Sequence, residues 1–128
     1  MKVTVERDTS LDACTITHDS VRLERPEHVA EWRAQLMAGT QAAVGQGRAY
    51  LLVDFTGFTV SPLVAEEYGR VAEELRQRFA KEVFRYGAGD PMSSSAAILQ
   101  SIRREHKGNL FATRQEAIEA LERARGGR

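Results

Sequence analysis

Ala49-Tyr50-Leu51-Leu52-Val53 is the stretch on which the fold turns. Five apolar residues stand in a row with no polar alternate. A strand with one wet face alternates; a strand covered on both faces does not. The run is strand-sized, and no stretch of the chain approaches the roughly 18 apolar residues of a membrane helix. The reading is therefore a central strand of a layered sheet, with helices before and behind it.

Working outward, Pro26 suits a first helical turn, where its missing N–H is not needed. Val29, Trp32, Leu36, Thr40, Ala43 and Val44 follow at helical spacing, and Gly45 and Gly47 end the helix. Upstream, Lys2 to Glu6 alternates around Val3 and Val5, and Ala13 to Thr17 is rich in β-branched residues. With the turn-forming Asp8 to Asp12 between them, these predict an antiparallel hairpin. Val21 and Leu23 extend the sheet or lie in a loop.

Downstream, Asp54 to Val60 is expected to leave the strand as a loop. Ser61-Pro62 reads as a cap and first-turn proline of a second helix carrying Val64, Tyr68, Val71, Ala72, Leu75 and Phe79. Val83 to Tyr86 is a short strand. Gly87 to Pro91 is a loop, Ser93 to Ser95 offer helix caps, and Ala97, Ile98 and Ile102 mark a third helix. Asn109 to Ala112 is a last strand. Thr113-Arg114-Gln115-Glu116 has capping-box form and opens a terminal helix with Ala117, Ile118, Leu121 and Ala124. The order β-β-α-β-α-β-α-β-α predicts one α/β domain over 1–128. It has a single mixed, mainly parallel sheet, an N-terminal antiparallel hairpin and about four helices. The working surface of such a sheet lies beyond the carboxyl ends of its strands, here Phe55 to Pro62, Gly87 to Ser95 and Thr113.

Composition narrows the function. Lysine plus arginine and aspartate plus glutamate both number 18, so the formal net charge is zero. That removes the main electrostatic argument for nucleic acid or an anionic membrane as partner. The single cysteine, Cys14, forms no internal disulfide and supplies no cysteine-based metal site. His18, His28 and His106 are widely spread and have no metal-ligand spacing. No nucleophile–base order stands out, so neither catalysis nor a cofactor or metal is expected. The N-terminal residues lack the apolar run of a leader, which gives a cytoplasmic protein as the expectation.

Three groups of residues stand out at the working surface. Ser61, Thr56 and Thr59 lie near a helix start, where a phosphate is favoured, although a plain cap explains Ser61. Gly87, Gly89, Ser93, Ser94 and Ser95 form a candidate anion-binding loop without Walker or dinucleotide spacing. Phe55, Phe58, Val60, Leu63 and Val64 cluster around a loop, part of which is expected to remain exposed, with Phe58, Val60, Leu63 and Tyr68 as the docking residues. Asp54 reads as a loop-stabilising carboxylate. Arg103, Arg104 and Lys107 read as a solvated helix face.

The element order and two segments resemble the STAS domain family of sulfate transporters and anti-sigma-factor antagonists. Leu52-Val53-Asp54-Phe55-Thr56-Gly57-Phe58-Thr59 is similar to the family's strand and exit loop. Leu110 to Leu121 is similar to its last strand, threonine cap and final helix. The resemblance implies a non-enzymatic protein-interaction module of bacterial-type signalling. Its partner would be another protein, kinase-like or regulatory. Val60-Ser61-Pro62-Leu63-Val64 departs from the family's phospho-switch, because the acidic and glycine neighbours are missing and proline follows the only hydroxyl. Two further expectations are kept. One is a carrier of a small hydrophobic ligand, a lipid or acyl chain. The other is a homodimer formed through the exposed edge of the hairpin.

Overall fold

The computed structural model describes residues 1–88 and 109–126. Its strands are β1 (Lys2–Asp8), β2 (Ala13–Asp19), β3 (Val21–Leu23), β4 (Ala49–Asp54), β5 (Phe58–Val60), β6 (Ala80–Tyr86) and β7 (Leu110–Phe111). Its helices are α1 (Pro26–Val44), α2 (Ala65–Phe79) and α3 (Arg114–Gly126), with a short 3-10 turn at Pro62–Val64. The predicted third helix lies outside the described residues.

Five strands form one sheet in the order β1-β2-β4-β6-β7. β1 and β2 pair antiparallel, and the remaining pairs are parallel. β4 is the middle strand, as its unbroken apolar run required. Its side chains alternate between two cores. Leu51 and Val53 join α1 and α2 residues such as Trp32, Leu36 and Leu75, whereas Leu52 joins Ala117, Ile118 and Leu121 of α3. Each face of the strand thus has its own helical cover.

The terminal helix starts as its sequence predicts. Glu116 N–H donates to Thr113 Oγ1, and Thr113 N–H donates to the Glu116 carboxylate, each at 3.2 Å. Both bonds satisfy donors that a helix start leaves open. Thr113→Ala is expected to lower unfolding free energy by about 1 kcal/mol, read from thermal denaturation.

Two expectations are corrected. The segment leaving β4 is not all loop, because Phe58–Val60 forms β5, which pairs in parallel with β3 as a separate two-stranded sheet. Val21-Arg22-Leu23 and Phe58-Thr59-Val60 share one pattern, apolar residues buried and the middle residue exposed. Each triad is too short to hold a sheet alone, and the pair closes one end of the α1/α2 core. Nor does Ser61-Pro62 open the second helix directly. It opens the 3-10 turn, and α2 begins at Ala65.

Across the outer surface, Arg33 of α1 grips Glu74 of α2 through two hydrogen bonds of 2.9 and 2.6 Å. That bond and its charge hold the Glu74 carboxyl below its ordinary range.

Candidate functional site

The carboxyl ends of β2, β4 and β6 meet at one end of the sheet. Asp54, the last residue of β4, turns its carboxylate back to accept Thr56 N–H at 2.8 Å. This is the loop-stabilising role its position suggested. Phe55 N–H donates to Tyr86 O at 2.9 Å, tying the β4 exit to the β6 exit. Gly87 follows at φ +76, and a Cβ there would come within 2.9 Å of both Asp54 Oδ1 and Thr56 Oγ1. The two exits pack too closely for a side chain at that position. Burial, followed by the Asp54 charge, pushes the Tyr86 phenol above its ordinary range.

His18, near the end of β2, lies beneath this loop. Its Nδ1 is 2.8 Å from Asp54 O, and Trp32 Nε1–H donates to its Nε2 across 3.3 Å. The pair of bonds assigns the proton to Nδ1, which donates, and leaves Nε2 as acceptor. The ring stacks on Phe55 at 5.9 Å and leans on Phe58 at 4.8 Å. Burial holds its pKa below the ordinary value, and the bond to the Asp54 carbonyl only partly offsets this. His18 was passed over in the sequence because it matches no ligand spacing. A geometric signal existed: β2 and β4 pair in parallel with Ile16 level with Val53, which brings His18 level with the β4 exit.

Phe58, Val60 and Tyr68, expected on a partly exposed docking patch, do not lie on the surface. All three are buried in the α1/α2 core, and Phe58 and Tyr68 pack with Trp32 in one aromatic group. Burying those rings closes the core end, which an exposed patch would leave open to water. Leu63 alone of the four is on the surface, at 87% exposure. It stands on the 3-10 turn, where Ser61 Oγ accepts Leu63 N–H at 3.2 Å. Ser61 is half-buried and acts as the cap, while Thr56 and Thr59 are exposed. Beside the turn is an open groove of about 400 Å³ lined by Arg22, Glu24, Thr59, Val60, Ser61 and Pro62.

Of the candidate anion loop, Gly87 is described above; Gly89, Ser93, Ser94 and Ser95 lie outside the described residues. So do His106, Arg103, Arg104 and Lys107. Cys14 is buried in β2, and burial raises its thiol pKa, the behaviour of a packing residue. Among the described residues, no group of three or more His, Cys, Asp or Glu side chains is placed to hold a metal. None of their helices is long and apolar enough to cross a membrane. A cavity between the sheet and α1/α2, bordered by His18, Trp32, Tyr68 and Arg85, measures about 20 Å³. That is room for a water, against the roughly 300–1,000 Å³ of small-molecule sites. It gives no support to carriage of a lipid or acyl chain.

No protein-family model and no curated protein matches the sequence. The fold does have a solved counterpart, described as an anti-sigma-factor antagonist (STAS) domain protein from Planctomyces limnophilus. The two are similar with a TM-score of 0.56 over 94% of this chain and 98% of that one, at 22% sequence identity. With its mainly parallel sheet, antiparallel N-terminal hairpin and helix-covered faces, this chain has the fold of a STAS domain.

Proposed function

We propose that the chain is a non-enzymatic protein-interaction module of bacterial-type signalling, and that it docks a kinase-like or regulatory protein through the face around Leu63. The observation that carries this reading is Leu63 itself. A large aliphatic side chain at 87% exposure stands on a capped turn. Arg22, Glu24, Thr59 and Ser61 border the groove beside it. An apolar anchor with a polar rim is the usual anatomy of a protein interface. The likeness to an anti-sigma-factor antagonist domain supports the same class of role. Thr56 and Thr59 are the accessible hydroxyls near that face, and phosphate on either would add charge to its rim.

Photo-crosslinking from position 63 in cells, followed by purification of the captured protein, provides a partner for calorimetry. Leu63→Asp is expected to weaken that binding about tenfold or more, since it places a carboxylate in an apolar contact. Glu122→Lys, an exposed change on α3, serves as the control and should leave affinity unchanged. Equal affinities for the wild type and Leu63→Asp would reject this face.

A further inference from the structure

We infer that Gln35 guards the edge of the sheet, and that what it holds off is the β1 strand of a second copy of this chain. This does not depend on the docking face at Leu63.

Among the described residues β1 is an end strand, paired on one side only, with β2. Val3 N–H does not bond β2; it donates to Gln35 Oε1 at 2.9 Å. Val3 therefore directs its main chain outward, and antiparallel alternation sends those of Val5 and Arg7 the same way. The same Gln35 side chain donates through Nε2 to Met1 O at 3.3 Å. One primary amide thus supplies an acceptor and a donor to the edge, as the peptide group of a neighbouring strand would. The helix is seated closely enough for this because of Gly39. A Cβ at that position would lie 2.9 Å from Val5 Cγ2, so α1 rests on β1, and one turn earlier Gln35 overhangs the edge.

The guard covers only the first part of the strand. Beyond it, the outward groups of Val5 and Arg7 continue an edge of the kind that recruits other strands. The sequence of this edge complements itself. About a two-fold axis through Thr4, Val3 faces Val5 of the second copy and Lys2 faces its Glu6, each pair made twice. Lys2 and Glu6 are exposed and share the face opposite Val3 and Val5, so the ion pairs form on one side of the joined sheet. The Val3–Val5 pair is the hydrogen-bonded one, and it needs Val3 N–H, the donor that Gln35 occupies. Gln35 and a second copy therefore compete for one hydrogen.

Sedimentation over a concentration series tests this. The wild type is expected to remain monomeric, while Gln35→Met, similar in length and helix propensity but without the amide, associates about tenfold or more tightly. Gln35→Ala gives the same association by shortening the side chain. Adding Lys2→Glu to Gln35→Met abolishes the dimer, and adding Lys2→Glu with Glu6→Lys restores it, because the double reversal preserves the pairing. Circular dichroism confirms that each variant is folded. Three results overturn the inference: a wild type that dimerises as tightly as the variants, folded Gln35 variants that stay monomeric, or a dimer indifferent to the charge reversals.

Discussion

Phe58→Ala is expected to cost about 3–5 kcal/mol of unfolding free energy, while Leu63→Asp, five residues along, changes it by only about 0.5 kcal/mol or less. Urea denaturation measures both. Phe58 is 3% exposed and packs its ring 4.8 Å from His18, 5.1 Å from Phe55, 5.6 Å from Trp32 and 5.7 Å from Tyr68. Truncation leaves a hole bounded by rigid rings that cannot collapse into it. Leu63 loses nothing comparable, because its side chain is already in water. Similar small losses for both variants would mean that Phe58 is a surface residue and that the core end is built differently.

His18→Leu is the second large effect, expected to cost about 1–3 kcal/mol for each buried polar group it strands, the Trp32 indole N–H and the Asp54 carbonyl. Acid acts on the same contact. Below the ordinary histidine pKa the unfolded chain takes up a proton, while folded His18 resists because burial holds its pKa lower. Stability is fully present above the ordinary histidine value of 6.5 and falls as the pH drops through it toward the lower folded value. Protonation also puts a hydrogen on Nε2, where Trp32 Nε1–H now donates, so the two N–H groups would oppose each other. Trp32 is the sole tryptophan, so its fluorescence reports the event directly. From 6.5 down to the carboxylate range, denaturation midpoints should decline in the wild type and flatten in His18→Leu, whereas Glu74 adds its own loss in both only below 4.5. A wild-type profile that is flat below 6.5 would exclude His18 as the source.

The parts of this fold legible in the sequence are those set by local periodicity. The apolar run at Tyr50 to Val53 could only be a doubly covered strand, and Thr113 with Glu116 announced the start of α3 three residues apart. Pro26 and Gly45 bounded α1 correctly for similarly local reasons. The end of the sheet where β2, β4 and β6 finish was legible as a place but not in its details. Whether Phe58 or Leu63 faces water depends on β5 pairing with β3, strands far apart in sequence that each offer three residues. Two matching apolar-polar-apolar triads were a usable signal, but periodicity over three residues decides little. The bonds of His18 to Asp54 and of Gln35 to Val3 span 36 and 32 residues. Contacts of that kind are set by strand register and by how a helix is seated on a strand, which no local pattern encodes.

The turn bearing Leu63 is stitched down on both sides. Ser61 N–H donates to Leu23 O at 2.8 Å, Val64 N–H to Ser61 O at 3.1 Å, and Ser61 Oγ takes Leu63 N–H. Fixing a loose backbone costs about 1–2 kcal/mol per residue, and here folding has already met that cost. A molecule that seats against this leucine would meet a preorganised knob, so little ordering entropy would be lost at association. Removing the side-chain stitch by Ser61→Gly would then weaken such a complex by raising the ordering entropy lost at association, in addition to the loss of the Ser61 hydroxyl from the rim.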